Sequence, residues 1–213
     1  HIRRLPENYA VHTAAAATIE IGVNETTSAT TKVDDAGISR RARHLGTVMH
    51  RTLKQVANEG VRAWPESRLA KLPVSWSAQL KELGLIVDGD ELQQLSAALQ
   101  NMLKEPKGQW ILANHKQAQC EVALGYYRAD SHEAGTSVID RTFISEGTRW
   151  IVDYKFTAPN EGEVIEQFEA RQINSYRKQL SHYVRLYQDL GPEPVRSALY
   201  FPKIGLFSEV SAD

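Results

Sequence analysis

The sequence has a single cysteine, Cys120, among 213 residues. One thiol excludes an internal disulfide framework and any four-cysteine zinc or iron–sulfur centre built from this chain alone. The ordinary reading of Cys120 is a small buried hydrophobe. No apolar run approaches the roughly eighteen residues that a membrane-spanning helix needs, and the start is neither a signal peptide nor a transit peptide. The expectation is a soluble, intracellular protein with no membrane partner. There is no glycine-rich phosphate loop of the P-loop or dinucleotide type, no internal repeat and no extended low-complexity block. Neither sign of charge dominates, with 25 Lys and Arg against 26 Asp and Glu. A protein coated in positive charge is thereby excluded, and any basic face for nucleic acid has to be local.

What is present suffices for one domain, because 42% hydrophobic side chains in a chain of this length fill one sizeable core, or one core and a small helical annex. The start at His1 reads as a piece of a longer polypeptide or a processed product. Residues 21–37 are polar, rich in Thr and Ser, and read as a linker, so residues 1–38 are taken as an extension and 39–213 as the folded domain. Ser39 is placed to cap a helix running to about residue 58, in which Leu45, Val48, Met49, Leu53 and Val56 recur at helical spacing before Gly60. Two shorter helices follow, over 75–83 and from Asp88, the latter with Leu92, Leu95, Leu99, Met102 and Leu103 on one stripe. From residue 109 the period changes, and 119–127, 137–144 and 149–156 read as strands. A long helix over 163–190, stopped by Gly191-Pro192, precedes two more strands, 195–201 and 205–210.

Carboxylates interrupt two of the most apolar strands. Asp140 sits in Val138-Ile139-Asp140-Arg141-Thr142-Phe143, and Asp153 in Trp150-Ile151-Val152-Asp153-Tyr154-Lys155-Phe156, on either side of Glu146-Gly147. A hairpin centred on that dipeptide pairs residues whose numbers sum to 293, which sets Asp140 opposite Asp153. Directly opposed side chains stand about 4.5–5.5 Å apart, close enough for two carboxylates to share one hard cation. Lys155, two residues beyond Asp153, shares its face of the strand. Two carboxylates and an ammonium supply what phosphodiester hydrolysis needs: a metal to activate water, and a cation to orient the nucleophile or neutralise developing charge. The alternative is an ion pair on a wet sheet edge, but burying two carboxylates at matching depth is costly unless something binds there.

Four segments in order carry a resemblance: Gly46-Thr47-Val48-Met49-His50-Arg51-Thr52-Leu53, Val138-Ile139-Asp140-Arg141, Trp150-Ile151-Val152-Asp153-Tyr154-Lys155, and Gln179-Leu180-Ser181-His182-Tyr183. Together they resemble the motif series of the RecB-like branch of the PD-(D/E)XK nucleases, especially the nuclease domain at the C-terminus of UvrD-like helicase–nucleases. Arg3-Arg4-Leu5-Pro6 and Leu199-Tyr200-Phe201-Pro202 are also similar to flanking sequence of that family. The resemblance implies an α/β fold, restriction-endonuclease-like, with a mixed sheet flanked by helices and an added helical segment before the sheet. It implies His50, Asp140 and Asp153 as metal ligands and Lys155 as the catalytic lysine, with Mg²⁺, or Mn²⁺ in its place, as cofactor; the family's iron–sulfur-bearing relatives need four cysteines, so the single Cys120 excludes that cluster here. It further implies a bacterial, cytoplasmic module that acts on DNA, single-stranded, delivered by a helicase motor outside this sequence, in repair or recombination.

Gln179 and Tyr183, four apart on one helix face, are placed to bond a DNA phosphate or brace the lysine. Their neighbours Arg171, Arg177, Lys178, Arg185 and Arg196 make this part of the chain basic, and it is expected to line the DNA path. Glu121 opens the first strand and is an auxiliary acid for the site or a strand-edge charge. Phe156 stands directly after Lys155 where the family commonly has Thr or Ser, which bears on the loop rather than the ligands. The competing function is a catalytically silent nuclease-like module that binds DNA or docks a partner. A third, a deoxynucleotide-handling enzyme, lacks any phosphate-loop signature.

Overall fold

A computed structural model describes residues 40–128 and 133–211. The extension, Ser39 and residues 130–132 of the turn expected around 130–135 lie outside the described residues. Among the described residues, six α-helices and five strands, with a 3-10 turn at Val61–Ala63, follow one another as α1 (Arg40–Glu59), α2 (Glu66–Leu69), α3 (Leu72–Glu82), α4 (Gly89–Lys104), α5 (Pro106–Leu112), β1 (Lys116–Arg128), β2 (Glu133–Ser145), β3 (Thr148–Tyr154), α6 (Ile165–Gln188), β4 (Val195–Phe201) and β5 (Leu206–Val210). The strands form one mixed sheet in sequential order, antiparallel throughout except that β3 and β4 run parallel across the α6 crossover. This is the expected fold class, with its helical segment ahead of the sheet.

Each face of the sheet is covered by a different helical layer. On one side Val48, Met49 and Leu53 of α1, with Leu95, Leu99 and Met102 of α4, bury Phe143, Val152, Tyr154 and Tyr200. On the other, Phe168, Leu180 and Val184 of α6 bury Ile139, Ile151, Leu199 and Phe201. Strand β3, covered on both faces, is therefore apolar at consecutive positions rather than alternating. The helix ends follow local chemistry. Gly60, at φ 82°, stops α1 and donates its N–H to Val56 O at 2.8 Å. Asp88 caps α4 in a reciprocal box with Glu91.

Two short helices, α2 and α5, are absent from the sequence reading, being too short to show a period; Pro106 at the first turn is the one local sign of α5. Helix α3 begins three residues earlier than expected, with Pro73 in its first turn.

The β2–β3 hairpin has the predicted register: Ser145↔Thr148, Ile144↔Arg149, Phe143↔Trp150, Thr142↔Ile151 and Arg141↔Val152 all sum to 293. Glu146 and Gly147, at φ 50° and 75°, form the primed turn that suits strand twist. The ladder's last pair is Arg141↔Val152, one step short of the two aspartates. At that point the sheet changes face. On β1, Ala118 and Cys120 pack with the α1–α5 layer, whereas Val122 and Leu124 pack with α6. On β2, Phe143 packs with the α1–α5 layer and Ile139 with α6. Between them lies Glu121 at φ 54°, a left-handed backbone for a non-glycine residue inside a strand. The flanking pairs Cys120↔Arg141 and Val122↔Ile139 set Glu121 abreast of Asp140. The inversion thus falls where the carboxylates are, a position at which irregular strands re-aim side chains.

Candidate active site

Tyr154 holds two of the site residues through its backbone. Its N–H donates to Asp140 Oδ2 at 2.8 Å, so the carboxylate takes the place of a strand carbonyl where the ladder stops. Its carbonyl accepts from His50 Nε2 at 2.9 Å. Because that oxygen can only accept, Nε2 carries the proton and Nδ1 is left facing Asp140 Oδ1, 3.3 Å away. This is how a ligating histidine is oriented: one nitrogen fixed by a backbone carbonyl, the other presented to the ion. His50 reaches the sheet from α1, one turn after Gly46, whose backbone lies against Phe156.

Asp153 is 4% exposed. Lys155, expected inside the strand, is the first residue past the end of β3, and its Nζ lies 2.8 Å from Asp153 Oδ2 and 3.8 Å from the centre of the Tyr176 ring on α6. The Asp153–Lys155 contact is an ion pair without hydrogen-bond alignment, so Oδ2, fully buried, retains capacity for another partner. Oδ1 accepts from Gln179 Nε2 at 3.4 Å. Gln179 Nε2 also donates to Tyr183 Oη at 2.8 Å, and Tyr183 donates in turn to Val138 O at 3.1 Å. Gln179 and Tyr183 are expected to bond a DNA phosphate or to brace the lysine; within the chain their contacts brace Asp153 and the β2 backbone two residues before Asp140, and Lys155 itself is held by Asp153 and Tyr176.

The electrostatics follow from burial of four ionisable groups together. Burial works against a charged His50, yet the Asp140 carboxylate overrides it, with Asp153 adding, and the imidazole is pushed up to about 9. Burial pushes Asp140 up, but His50 and Lys155 bring it below the usual carboxylate range. Burial raises Asp153, and the Asp140 charge raises it further against the pull of Lys155. Lys155, despite burial, is held above the usual lysine range by Asp153 and stays an ammonium.

Among the described residues, His50, Glu121 and Asp140 each bring one ligand atom within 4.8 Å of the others. An imidazole nitrogen with two carboxylate oxygens fits a divalent cation of the Mg²⁺ or Mn²⁺ kind, the nitrogen favouring Mn²⁺. Asp153 stands outside that trio, engaged by Lys155 and Gln179. The structure thus brings His50, Asp140, Asp153, Lys155, Gln179 and Tyr183 to one place, and it brings Glu121 in as a full member of the cluster. Tyr176, under the Lys155 ammonium, was missed, although it shares the Gln179 and Tyr183 face of α6 one turn earlier. Of the basic pair expected beside Gln179, Arg177 donates to Ser211 O at 3.2 Å, and Lys178 follows it on α6.

The model of the PD-(D/E)XK nuclease superfamily matches residues 25–209. The chain belongs to the PD-(D/E)XK nuclease superfamily. The pattern in the superfamily's name is met here by Asp153-Tyr154-Lys155 and, upstream, by Asp140, which follows Ile139 rather than a proline. A comparison with curated proteins finds no match. The cluster combines a trio with the donors to hold a cation and a buried Asp–Lys pair. Membership assigns nuclease chemistry in general terms.

Proposed function

We propose that this PD-(D/E)XK domain hydrolyses DNA phosphodiesters with Mg²⁺, or Mn²⁺ in its place, using His50, Glu121, Asp140 and Asp153 around the cation and Lys155 as the catalytic cation. The observation that carries it is the turning of His50 Nδ1 toward Asp140 Oδ1 beside Glu121, next to a separately neutralised Asp153–Lys155 pair. A divalent ion held there would supply Lewis-acid polarisation of the phosphate and a water of lowered pKa. Lys155, kept protonated by Asp153, is a hydrogen-bond donor and positive charge for the attacking water or a non-bridging oxygen. Tyr154 fixes His50 and Asp140, and Gln179 with Tyr183 holds Asp153, so the set is preorganised rather than assembled on binding.

The finer reading is a nuclease module of a bacterial, cytoplasmic helicase–nuclease that takes single strands from a motor in repair or recombination. It rests on the motif order, His50 through Tyr183, that resembles the helicase-linked branch. On α6, Arg177 and Lys178 are candidate contacts for the substrate. No helix among the described residues is long and apolar enough to cross a membrane. The test is incubation with labelled linear and circular single-stranded and duplex DNA, with Mn²⁺, with Mg²⁺ and with chelator. Metal-dependent cleavage of single strands is expected. Metal binding without turnover on any substrate would favour the silent-module alternative.

A further inference from the structure

Resting on that nuclease reading, we infer that the exposed face of α1, with Arg40, Arg43, Arg51 and Lys54 in one stripe, is the track along which the phosphate backbone of a single strand runs to the His50 end of the site. Residues 40–54 hold five Lys or Arg and no Asp or Glu, in a chain whose net charge is −1. Helical spacing sorts them. Leu45, Val48, Met49 and Leu53 face the core, while Arg40, Arg43, Thr47, Arg51 and Lys54 are all exposed. An ordinary solvated helix face mixes both signs, because pairs four apart stabilise it and like charges repel. This face carries one sign over about 21 Å of helix, from 1.5 Å of rise per residue.

The contrast with α6 and its surroundings decides between the two basic regions. There Arg171 is paired with Glu163, Arg196 with Glu209, and Arg185 and Arg177 donate to the carbonyls of Ser181 and Ser211. On α1, Arg41 is likewise paired, with Glu91, and it points away from the stripe toward α4. Arg40, Arg43, Arg51 and Lys54 have no carboxylate partner among the described residues. A row of unneutralised cations at intervals of a helical turn matches a polyanion whose charges also recur along a line, and each phosphate bound releases condensed counterions. Direction comes from His50, which lies on the flank of the stripe beside Arg51 and aims its ring at Asp140. A backbone following the stripe is thereby delivered to the cation-binding trio.

The experiment measures binding of a labelled single-stranded oligonucleotide by the whole chain across a salt series, with Ca²⁺ to suppress cleavage. It compares wild type, the triple variant Arg43→Ala/Arg51→Ala/Lys54→Ala, its counterpart with lysine at 43 and 51 and Lys54 kept, and Arg177→Ala/Lys178→Ala. The alanine triple is expected to bind more weakly and to flatten the slope of log K against log salt by about 2, from about 0.7 per lost single-strand contact. Lysine should restore the slope, and the α6 pair should change it less. Mn²⁺ affinity of the triple, by calorimetry, should equal that of wild type. Unchanged affinity and slope in the triple, with a wild type that cleaves, overturns the track and assigns the stripe to an acidic protein partner. A wild type that neither binds nor cleaves DNA removes the nuclease reading and the track with it.

Discussion

His50 is held charged by its neighbours, and that fixes how the site should respond to pH. Its pKa is raised to about 9 because Asp140 outweighs burial, so below that value a proton occupies Nδ1, the atom a cation needs. Metal must displace the proton, and affinity should rise with pH until about 9 and then level off. We expect the Mn²⁺ dissociation constant to fall by about tenfold per unit between about pH 6.5 and 8.5, one proton being released. Calorimetry in buffers of different ionisation enthalpy counts that proton; a flat profile means His50 does not ligate. Lys155 poses a different question at the same scale. Lys155→Ala should abolish cleavage without weakening Mn²⁺ binding, since the ammonium is not a ligand and removing its charge from Asp153, beside the His50–Glu121–Asp140 trio, leaves every donor in place. It should also cost of the order of 3 kcal/mol, because a buried carboxylate loses its partner. Urea unfolding beside a single-turnover assay checks both, and residual cleavage near wild type would take the lysine out of the chemistry.

Among the elements, β1 does the least expected thing. Glu121 sits at φ 54° inside it, where an L-residue pays about 1–2 kcal/mol, and the strand reverses the faces on which its side chains pack. Strain concentrated at one residue of a metal-competent trio implies a trade between stability and binding. Glu121→Gly should therefore raise the chelator-treated midpoint by about 2–4 °C, for about 1 kcal/mol of relief, while weakening Mn²⁺. Glu121→Gln should weaken Mn²⁺ without the gain. If the glycine variant binds Mn²⁺ like wild type, the strain serves the fold alone. On α6, Tyr183→Phe breaks the link from Gln179 to the Val138 carbonyl. A loss of about 10–100-fold in kcat with little change in KM is expected for an outer partner of this kind, and an unchanged kcat would make the brace decorative. These elements also show what a sequence can carry. The hairpin register was readable because Glu146-Gly147 fixes a two-residue turn and counting does the rest. The face change at Glu121 and Asp140 was not, since alternation is the only pattern a strand displays and a single left-handed residue leaves no mark on it. Hence the sequence alone ranks Glu121 as an auxiliary acid and sets Asp153 opposite Asp140, whereas the ladder ends one pair earlier and the Asp153 side chain meets Lys155 and Gln179.

For the whole molecule, the candidate cation trio joins parts of the chain far apart in sequence. His50 comes from α1 in the helical layer, Glu121 from β1 and Asp140 from β2, and the layer and the sheet are joined besides by apolar contacts and by Arg141, which donates to the carbonyls of Ile111 and Ala113. The four in-order motifs made the fold class and most of the site legible, because a helix His and strand carboxylates have to meet if they share a metal. What they could not supply was the route of a polyanion, which depends on which cations are already paired, and pairing such as Arg171–Glu163 exists only in three dimensions. The convergence itself is testable without any nuclease assay. A ligand that binds the folded chain and not the unfolded one stabilises it by about 2.7 kcal/mol at a hundred times its dissociation constant. For a chain of 213 residues that is a rise of about 5–10 °C in midpoint. Mn²⁺ should produce such a rise in wild type and in Lys155→Ala, whose ligands are intact, and little or none in Asp140→Asn, which loses the carboxylate that Tyr154 and His50 both address. Equal shifts in all three proteins would place the ion elsewhere on the surface, and the arrangement of His50, Glu121 and Asp140 would then be a hydrogen-bonded core feature rather than a metal centre.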